Sequence, residues 1–426
     1  MADKNVQMKV LNSSGSYDSI NPKSNASLIT TSDGNNVQNF IDSKGQPNGV
    51  ATLDANKQLV QDAKTLNGYG TDNGPNSVLL SGRKEGTTIG TNSTAEGRTT
   101  TASGSCSHAE GGYTQASDSC SHAEGDYTQA SGYSSHAEGR TTTASGYSSH
   151  AEGLSTTASD SCSHAEGYYT QASGLYSHAE GSCTTANVFA SHAQGRYNKA
   201  LAGAPSTYSA TADAMVIGNG TSTSELSNCF RVDFSGNVYG LSSYHSSGAD
   251  YSEFFEWLDE NPNKEDRVGH FVTLDGEKIR YANDGDYIVG IISGNPVIIG
   301  DHPSESWCGR YLRDVFGRMQ YENVVIPETQ ETDKDGNVIR TIPEHTETHF
   351  KVNPDYDPAK EAEYANREKR PEWATVGMLG KLVVIDDGTC EVNGYCKPMN
   401  GTATKSDTGY RVLARLDATH VKVLIK

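Results

Sequence analysis

The sequence predicts a mainly β protein in which a repetitive parallel β-roll precedes a compact, mainly β C-terminal domain with one short helix. A 14-residue unit recurs from Thr94 to Ala200, and alanine occupies every seventh position of that stretch. Beyond residue 240, strand-like runs alternate with turn signals such as Asp275-Gly276. A fixed period indicates a stacked architecture in which each unit buries one face against the next.

The centre of the repeat is Ser-His-Ala-Glu-Gly, which occurs six times and returns once as Ser-His-Ala-Gln-Gly. A period of seven is also typical of coiled coils, but these need large aliphatic residues at two positions of each heptad, and here the seam is alanine alone. The accompanying serine, threonine, tyrosine and glycine favour short strands joined by sharp corners. Two such strands per 14 residues form one coil of a roll. The repeated histidines are His108, His122, His136, His150, His164, His178 and His192.

This pattern resembles the head repeat of trimeric adhesins, whose Ser-Val-Ala-x-Gly core stands here as Ser-His-Ala-Glu-Gly. The resemblance implies a left-handed parallel β-roll in which three chains pack side by side. In that family the valine face meets the neighbouring subunits, so the histidines and glutamates are expected at the subunit interface. A homotrimer is also expected because a thin roll with an alanine core buries too little apolar surface to be stable alone.

Histidine and glutamate of each repeat share one face of a strand, and the alanine between them points the other way. Imidazole and carboxylate are common zinc ligands. Seven equivalent positions without a selective geometry favour instead a ladder of His–Glu hydrogen bonds and ion pairs, so neither a metal nor another cofactor is expected. A histidine beside a carboxylate is expected to have a raised pKa, which would make the shaft pH-sensitive.

Composition narrows the class of protein. The net charge of −19 argues against a nucleic-acid partner, and 34% hydrophobic residues with 44 glycines suit a fibrous protein better than an ordinary enzyme. No apolar run approaches the ~20 residues of a membrane span, and no apolar segment follows the first residues as in a secretory signal. The eight cysteines lack paired metal-ligand spacings. We therefore expect reduced thiols and assembly in a cytoplasm.

Four regions are predicted along the chain: residues 1–90, an N-terminal attachment or linker region; 91–200, the roll; 201–240, a collar that closes it; and 241–426, the C-terminal domain. The run Gly49–Val60 is similar to a stretch found before the shaft of phage tail-fibre proteins, the alternative being a flexible polar linker. The strands predicted before the C-terminal domain are Asn5–Leu11, Ser27–Thr31, Gly49–Leu53, Ala214–Ile217 and Cys229–Phe234.

In the C-terminal domain, Glu328–Glu347 is expected to be an exposed polar insertion and Glu361–Arg367 a short helix after Pro358. The strands predicted there are His270–Leu274, Lys278–Tyr281, Asp286–Ile292, Pro296–Ile299, Lys381–Ile385, Tyr410–Arg415 and His420–Ile425.

Residues Ser247–Trp257, Glu265–Gly269, Phe271–Gly276 and Val376–Lys381 resemble the autoproteolytic intramolecular chaperone of phage appendage proteins, a glutamic-type self-cleaving peptidase family. The resemblance implies a domain that trimerises and folds the shaft and then cuts itself off. Any enzymatic activity would therefore be a single turnover on its own chain.

The candidate catalytic residues are Asp250 and Glu253. Their spacing, after Ser246 or Ser247 as a helix cap, predicts a helix start with both carboxylates on one face, where close carboxylates separate into one acid and one base. The alternative is simple complementation of the helix dipole. Related domains cut ahead of an aspartate, which implies cleavage at Ala249–Asp250, with the bonds from Ser246 and Ser247 as second choice.

The leading functional hypothesis is a structural homotrimer of a phage tail fibre, tailspike or neck appendage, located in the virion. Its expected partners are other tail or baseplate proteins and a host cell-surface glycan. One alternative is a glycan-degrading tailspike, which needs paired carboxylates about 5–10 Å apart in a cleft. A second alternative, a bacterial trimeric surface adhesin, is disfavoured because no secretory signal or membrane anchor is visible.

Overall fold

In the computed structural model, the residues described are 8–11, 17–20, 78–83, 87, 89–301, 309–332, 336, 338–359 and 365–426. The chain divides into two compact units, Met1–Val238 and Tyr239–Lys426, and each is considered by itself. The described residues contain no α-helix. They likewise include no helix long and apolar enough to span a membrane.

The first unit is dominated by a parallel β-solenoid with two strand rows, which confirms the predicted stack of 14-residue coils. Each strand pairs in register with its equivalent one repeat later, so His150 lies opposite His164 and Ala151 opposite Ala165. The long-strand row contains β4 (Thr94–Ala102), β5 (His108–Gly112), β7 (His122–Asp126), β9 (His136–Arg140), β11 (His150–Leu154), β13 (His164–Tyr168), β15 (His178–Ser182) and β17 (His192–Arg196). The short-strand row contains β6 (Gln115–Ala116), β8 (Gln129–Ala130), β10 (Thr143–Ala144), β12 (Thr157–Ala158), β14 (Gln171–Ala172) and β16 (Thr185–Ala186).

The solenoid interior is filled by one small side chain per strand. The seam alanines, among them Ala137, Ala144 and Ala151, are fully buried. Serine hydroxyls next to the seam donate to the backbone three residues earlier, as Ser149 Oγ does to the Gly146 carbonyl at 2.8 Å. The core is therefore thin and close-packed, as the alanine period predicts.

The corners explain the repeated glycines. Gly153 has φ = +104°, and a Cβ placed there would lie 2.2 Å from the carbonyl oxygen of Gly167 in the next coil. Only glycine accepts both the conformation and the approach. The coils also contain left-handed residues that are not glycine, among them Thr99, Cys120 and Tyr127, which the sequence did not signal.

The predicted collar strands form and close the roll. Strand β18 (Asp213–Asn219) extends the long-strand row in parallel with β17, and β19 (Asn228–Asp233) pairs with β18 antiparallel. The Arg231 guanidinium reaches the buried Asp213 carboxylate at 2.5 Å and ties the two strands together. Because β18 covers the last coil, that edge is not left open.

Among the described residues, three short strands precede the solenoid. Strands β1 (Met8–Leu11) and β2 (Tyr17–Ile20) form an antiparallel pair, and β3 (Val78–Arg83) pairs in parallel with β4. The described part of the predicted strand Asn5–Leu11 is the strand Met8–Leu11, and its first three residues lie outside the described residues. The predicted strands Ser27–Thr31 and Gly49–Leu53 lie outside the described residues.

The second unit is built on a ten-stranded sheet with two hydrophobic clusters, centred on Phe271 with Val384 and on Trp257 with Val376. Most of the strands predicted for this unit are present in the structure, but Lys381–Ile385 is only the end of a longer strand. The strands are β21 (Asp250–Glu256), β22 (Phe271–Asp275), β23 (Lys278–Tyr281), β24 (Ile288–Ile292), β25 (Ile298–Gly300), β30 (Trp373–Ile385), β31 (Tyr395–Met399), β32 (Thr402–Ser406), β33 (Tyr410–Arg415) and β34 (His420–Ile425).

The polar insertion forms strands rather than an irregular loop. Strand β26 (Tyr321–Ile326) pairs with β29 (His345–Phe350), and β27 (Thr329–Thr332) pairs with β28 (Val338–Ile342). Most of the predicted helix Glu361–Arg367 lies outside the described residues, and Arg367–Lys369 form a single 3-10 turn.

Candidate self-cleavage site

Asp250 and Glu253 lie on a strand, so the predicted helix start is wrong. Residues Asp250–Glu256 form β21, which pairs antiparallel with β30 and parallel with β25. Long-range pairing with a distant strand overrides the local capping signal of the serines. Ser246 and Ser247 are exposed, and Ser246 Oγ accepts a hydrogen bond from the Gly248 amide within a bend.

The strand separates the two candidate carboxylates onto opposite faces, because side chains alternate along a strand. Asp250 is buried and accepts a hydrogen bond from the Ser252 hydroxyl at 2.7 Å. Glu253 accepts a hydrogen bond from the Tyr251 hydroxyl on the other face, and this contact raises the pKa of Tyr251. The prediction that the two carboxylates lie on one face as an acid–base pair is therefore wrong within a single chain.

Backbone hydrogen bonds hold the chain at the Ala249 carbonyl, which belongs to the Ala249–Asp250 peptide, and at the Asp250 carbonyl, which belongs to the next one. The Ala249 carbonyl accepts from the Lys381 amide at 3.2 Å, and the Asp250 carbonyl accepts from the Val297 amide at 2.8 Å. Ala249 is exposed although Asp250 is buried, so the bond lies where the chain enters the sheet. One amide donor is thus already directed at the oxygen that would become an oxyanion.

Two glycines of β30 allow this close packing. Gly380 lies opposite Asp250 with φ = +132°, and a Cβ there would come within 2.2 Å of the Ala249 carbonyl oxygen. At Gly377 a Cβ would meet the Asp250 carboxylate at 2.7 Å. The segment Val376–Lys381 was among the residues carrying the family resemblance, but neither these glycines nor Ser252 and Tyr251 were assigned a role from sequence.

Glu253 opens onto a cleft of about 500 Å³. Lys278 and Arg367 line the same cleft with Trp373. Both cations already have acidic partners, Lys278 with Glu256 at 2.8 Å and Arg367 with Asp301.

The histidines of the repeat form a continuous column, and Ala points inward between each His and Glu as expected. Successive imidazole rings stack with centroids 4.6–4.8 Å apart. Six of the histidines face the glutamate of the preceding coil, with Nε2 to Oε1 distances from 3.3 Å at His192–Glu180 to 3.9 Å at His136–Glu124. The ion pairing thus runs between coils.

The electrostatics of this column differ from the expectation. Burial lowers the pKa of His136. Burial is also the largest cause of the lowered pKa values of His122, His164 and His178. The expected raised histidine pKa is therefore wrong for these four, because desolvation outweighs the carboxylates. Hydrogen bonds with Glu152 and Glu124 raise the pKa of Glu138 to about 7. The stacked carboxyl groups therefore interact with each other more strongly than with the imidazoles.

The chain thus combines a repetitive parallel β-solenoid with an antiparallel C-terminal domain whose first strand begins at a buried aspartate. Residues 201–420, which are 220 of the 426, match the family described as Peptidase_G2, IMC autoproteolytic cleavage domain. The chain belongs to this family.

Two curated relatives match the chain at similar strength. The pre-neck appendage protein of Bacillus phage B103 is 37% identical over 161 residues, covering 38% of this chain and 16% of that protein. A putative phage-related protein, YobO, of Bacillus subtilis strain 168 is 37% identical over 174 residues, covering 41% of this chain and 20% of that protein. The matches thus span a fifth or less of these relatives.

Among solved structures, the pre-mature bacteriophage phi29 gene product 12 is similar with a TM-score of 0.52 and 23% sequence identity. The similarity covers 78% of this chain and 39% of that one. At this identity it supports the shared fold.

Proposed function

We propose that the chain is a structural subunit of a phage tail fibre, tailspike or neck appendage and is located in the virion. Membership of the autoproteolytic family supports this, together with relatives that are named as pre-neck appendage proteins. Residues 1–90 attach to other tail or baseplate proteins, 91–200 form the shaft, 201–240 close it, and 241–426 act as a removable chaperone.

The shaft acts as a homotrimer with adhesin-like side-by-side packing. Its core is a single alanine per strand, which buries little apolar surface. The His–Glu face is about one-third exposed in one chain, as at His150, and provides the surface on which neighbouring chains pack. Light scattering is expected to give three times the chain mass, and a stable folded monomer would contradict this assignment.

The shaft also contacts the host. Tyr127, Tyr168 and Tyr169 expose their rings along it. Tyrosine combines an apolar face with a hydroxyl, which suits a cell-surface glycan. Co-sedimentation with host wall polymers is expected without release of oligosaccharide; release would favour the glycan-degrading alternative.

Self-cleavage takes place at Ala249–Asp250 and releases 177 residues, 426 − 249. Water adds to the Ala249 carbonyl carbon, Glu253 takes the water proton, and the Lys381 amide stabilises the oxyanion. The C–N bond then breaks and the proton passes to the Asp250 nitrogen. Asp250 assists as the adjacent carboxylate. The bonds from Ser246 and Ser247 are the second choice.

Assembly completes this site. Within one chain, Asp250 and Glu253 project to opposite faces of β21, so Glu253 reaches the bond of a neighbouring chain once three chains have associated. Cleavage then becomes a checkpoint, since unassembled chains retain the chaperone. Its removal traps the shaft kinetically because the folding aid is absent when unfolding is attempted.

The test is intact mass spectrometry of Glu253→Gln beside Glu256→Gln. Glu256 lies on the same strand but pairs with Lys278 at 2.8 Å, so it is the matched control. Wild type and the control are expected to yield fragments of residues 1–249 and 250–426, and Glu253→Gln to stay intact. Identical fragments from all three proteins would show that Glu253 is not catalytic.

A further inference from the structure

The His–Glu column brings three metal-ligating atoms together at each level of the solenoid. The sets include Glu96–His108–Glu110, Glu124–His136–Glu138 and Glu138–His150–Glu152, and the ligand atoms of each set lie within 4.8 Å of one another. Each of these three sets offers one imidazole nitrogen and two carboxylate oxygens from successive coils, whereas the set His178–Glu180–His192 offers two imidazoles and one carboxylate. We propose that this column binds Zn²⁺ between the coils of the shaft.

The spacing of the donors fits a tetrahedral ion. Zinc bonds of about 2.0 Å to nitrogen and oxygen place two ligand atoms roughly 3.3 Å apart. The Nε2 to Oε1 distances are 3.5 Å at His108–Glu96 and 3.8 Å at His150–Glu138, and all ligand atoms of a set lie within 4.8 Å of one another, so the side chains must move inward to close on an ion. The proposal therefore departs from the expectation that the column holds no metal, on the ground that the coils stack in register.

Each imidazole of the column has one ring nitrogen that makes no hydrogen bond. Nε2 of all seven histidines is buried, and among the described residues none of these atoms has a hydrogen-bond partner. An unpaired buried acceptor costs free energy, which coordination of an ion would recover. The carboxylates beside them stay accessible, because Glu138, Glu152, Glu166 and Glu180 line a shallow groove with the glycines that follow them.

Charge sets how many ions the column holds. Each level contributes one glutamate, so a divalent ion at every level would leave one excess positive charge per coil. An ion at every second level is balanced by two carboxylates, and the seven glutamates from Glu96 to Glu180 then suffice for three ions (7 ÷ 2, rounded down). Ions at alternate levels also avoid repulsion between neighbours stacked about 5 Å apart.

The donor set selects zinc over the hard divalent cations. Calcium takes six to eight oxygen ligands and magnesium demands octahedral oxygen geometry. One imidazole with two carboxylates meets neither requirement but suits zinc, with the fourth position open to water or to a group of a neighbouring chain. A bound ion would link consecutive coils and stiffen the shaft.

The experiment uses the full chain, produced with zinc in the medium, purified without chelator and dialysed extensively. The variant Glu110→Gln/Glu138→Gln/Glu166→Gln removes alternate glutamates of the column; Glu110 belongs to the first set named above and Glu138 to the second and third. A matched control, Glu322→Gln/Glu328→Gln/Glu347→Gln, changes the net charge equally. It also removes Glu347, whose carboxylate lies between His345 and His349 and forms a competing cluster.

Elemental analysis is expected to give about three zinc ions per chain for wild type and control, and at most one for the column variant. Chelation is expected to lower the melting temperature of wild type but not of the column variant. Equal zinc in the column variant and wild type, or less than one zinc per chain in wild type, would overturn the proposal. Retention of zinc in a hundredfold excess of Ca²⁺ would support the selectivity, and its displacement would contradict it.

Discussion

The carboxylates of Asp250 and Glu253 project from opposite faces of one strand although they are only three positions apart. Asp250 is buried against the Ser252 hydroxyl, whereas Glu253 meets the Tyr251 hydroxyl beside an open cleft. The two acids therefore occupy different environments, and the cleavage proposed above gives them different roles for that reason.

Replacing Ser252 with alanine removes the hydroxyl that donates to Asp250 at 2.7 Å. A buried carboxylate that loses a hydrogen bond costs about 1–3 kcal/mol, so we expect a less stable C-terminal unit and slower release of the fragment. Urea unfolding followed by tryptophan fluorescence measures the first effect, because all three tryptophans lie beyond residue 240. Unchanged stability would show that this hydrogen bond does not hold Asp250.

Replacing Gly153 with alanine is expected to disrupt the stacking of the solenoid. The new Cβ would overlap the Gly167 carbonyl oxygen, and the coils can avoid this only by separating. Gly236→Ala is the control, because Gly236 also has positive φ (+87°) but no atom within 4 Å of an added Cβ. The control should show only backbone strain of about 1–2 kcal/mol.

Hydrogen exchange distinguishes these two variants. Amides of the coils flanking residue 153 are expected to exchange faster in Gly153→Ala and at the wild-type rate in Gly236→Ala. If those amides exchange at the wild-type rate in both variants, the close approach of Gly153 to Gly167 does not determine how the coils stack.

The solenoid could be predicted from sequence because the period itself encodes it. A residue such as Ala151 faces the interior in every coil, so one repeat determines the others. The left-handed conformations of Cys120 and Tyr127 could not be predicted, because the stacked backbone bonds impose them rather than local preference. The Tyr127 amide, for example, donates to the Gly112 carbonyl of the previous coil at 2.8 Å.

The strand at the cleavage site could not be predicted because its partner is distant in sequence. Locally, Ser-Ser-Gly-Ala-Asp resembles a helix N-terminus, and only pairing with Trp373–Ile385 decides between helix and strand. The same pairing places Gly377 and Gly380 against the bond, a relationship with no local signal.

The buried ion pair of Asp386 and Arg415 is expected to matter more than an exposed pair. The Asp386 carboxylate is fully buried and accepts from Arg415 Nη2 at 2.5 Å and from the Cys390 amide at 3.2 Å. Asp386→Asn should cost about 3 kcal/mol, since the guanidinium loses its counter-charge. Asp284→Asn should cost under ~1 kcal/mol, because the Asp284–Lys397 pair is solvent-exposed.

Tryptophan fluorescence during urea unfolding compares these two variants as well. An equal decrease in the free energy of unfolding in Asp386→Asn and Asp284→Asn would contradict the importance assigned to burial.

Replacing His136 and His150 together with valine is expected to leave the zinc-free shaft as stable as wild type or more stable. The change removes two buried imidazole nitrogens that have no hydrogen-bond partner within the described residues and substitutes a β-branched residue that favours strands. The cost is the loss of inter-coil ion pairs at 3.8–3.9 Å, which are weak because the side chains are about one-third exposed. Melting curves in chelator and light scattering check stability and trimer mass together. A lower melting temperature with loss of the trimer would show instead that the imidazoles hold the chains together.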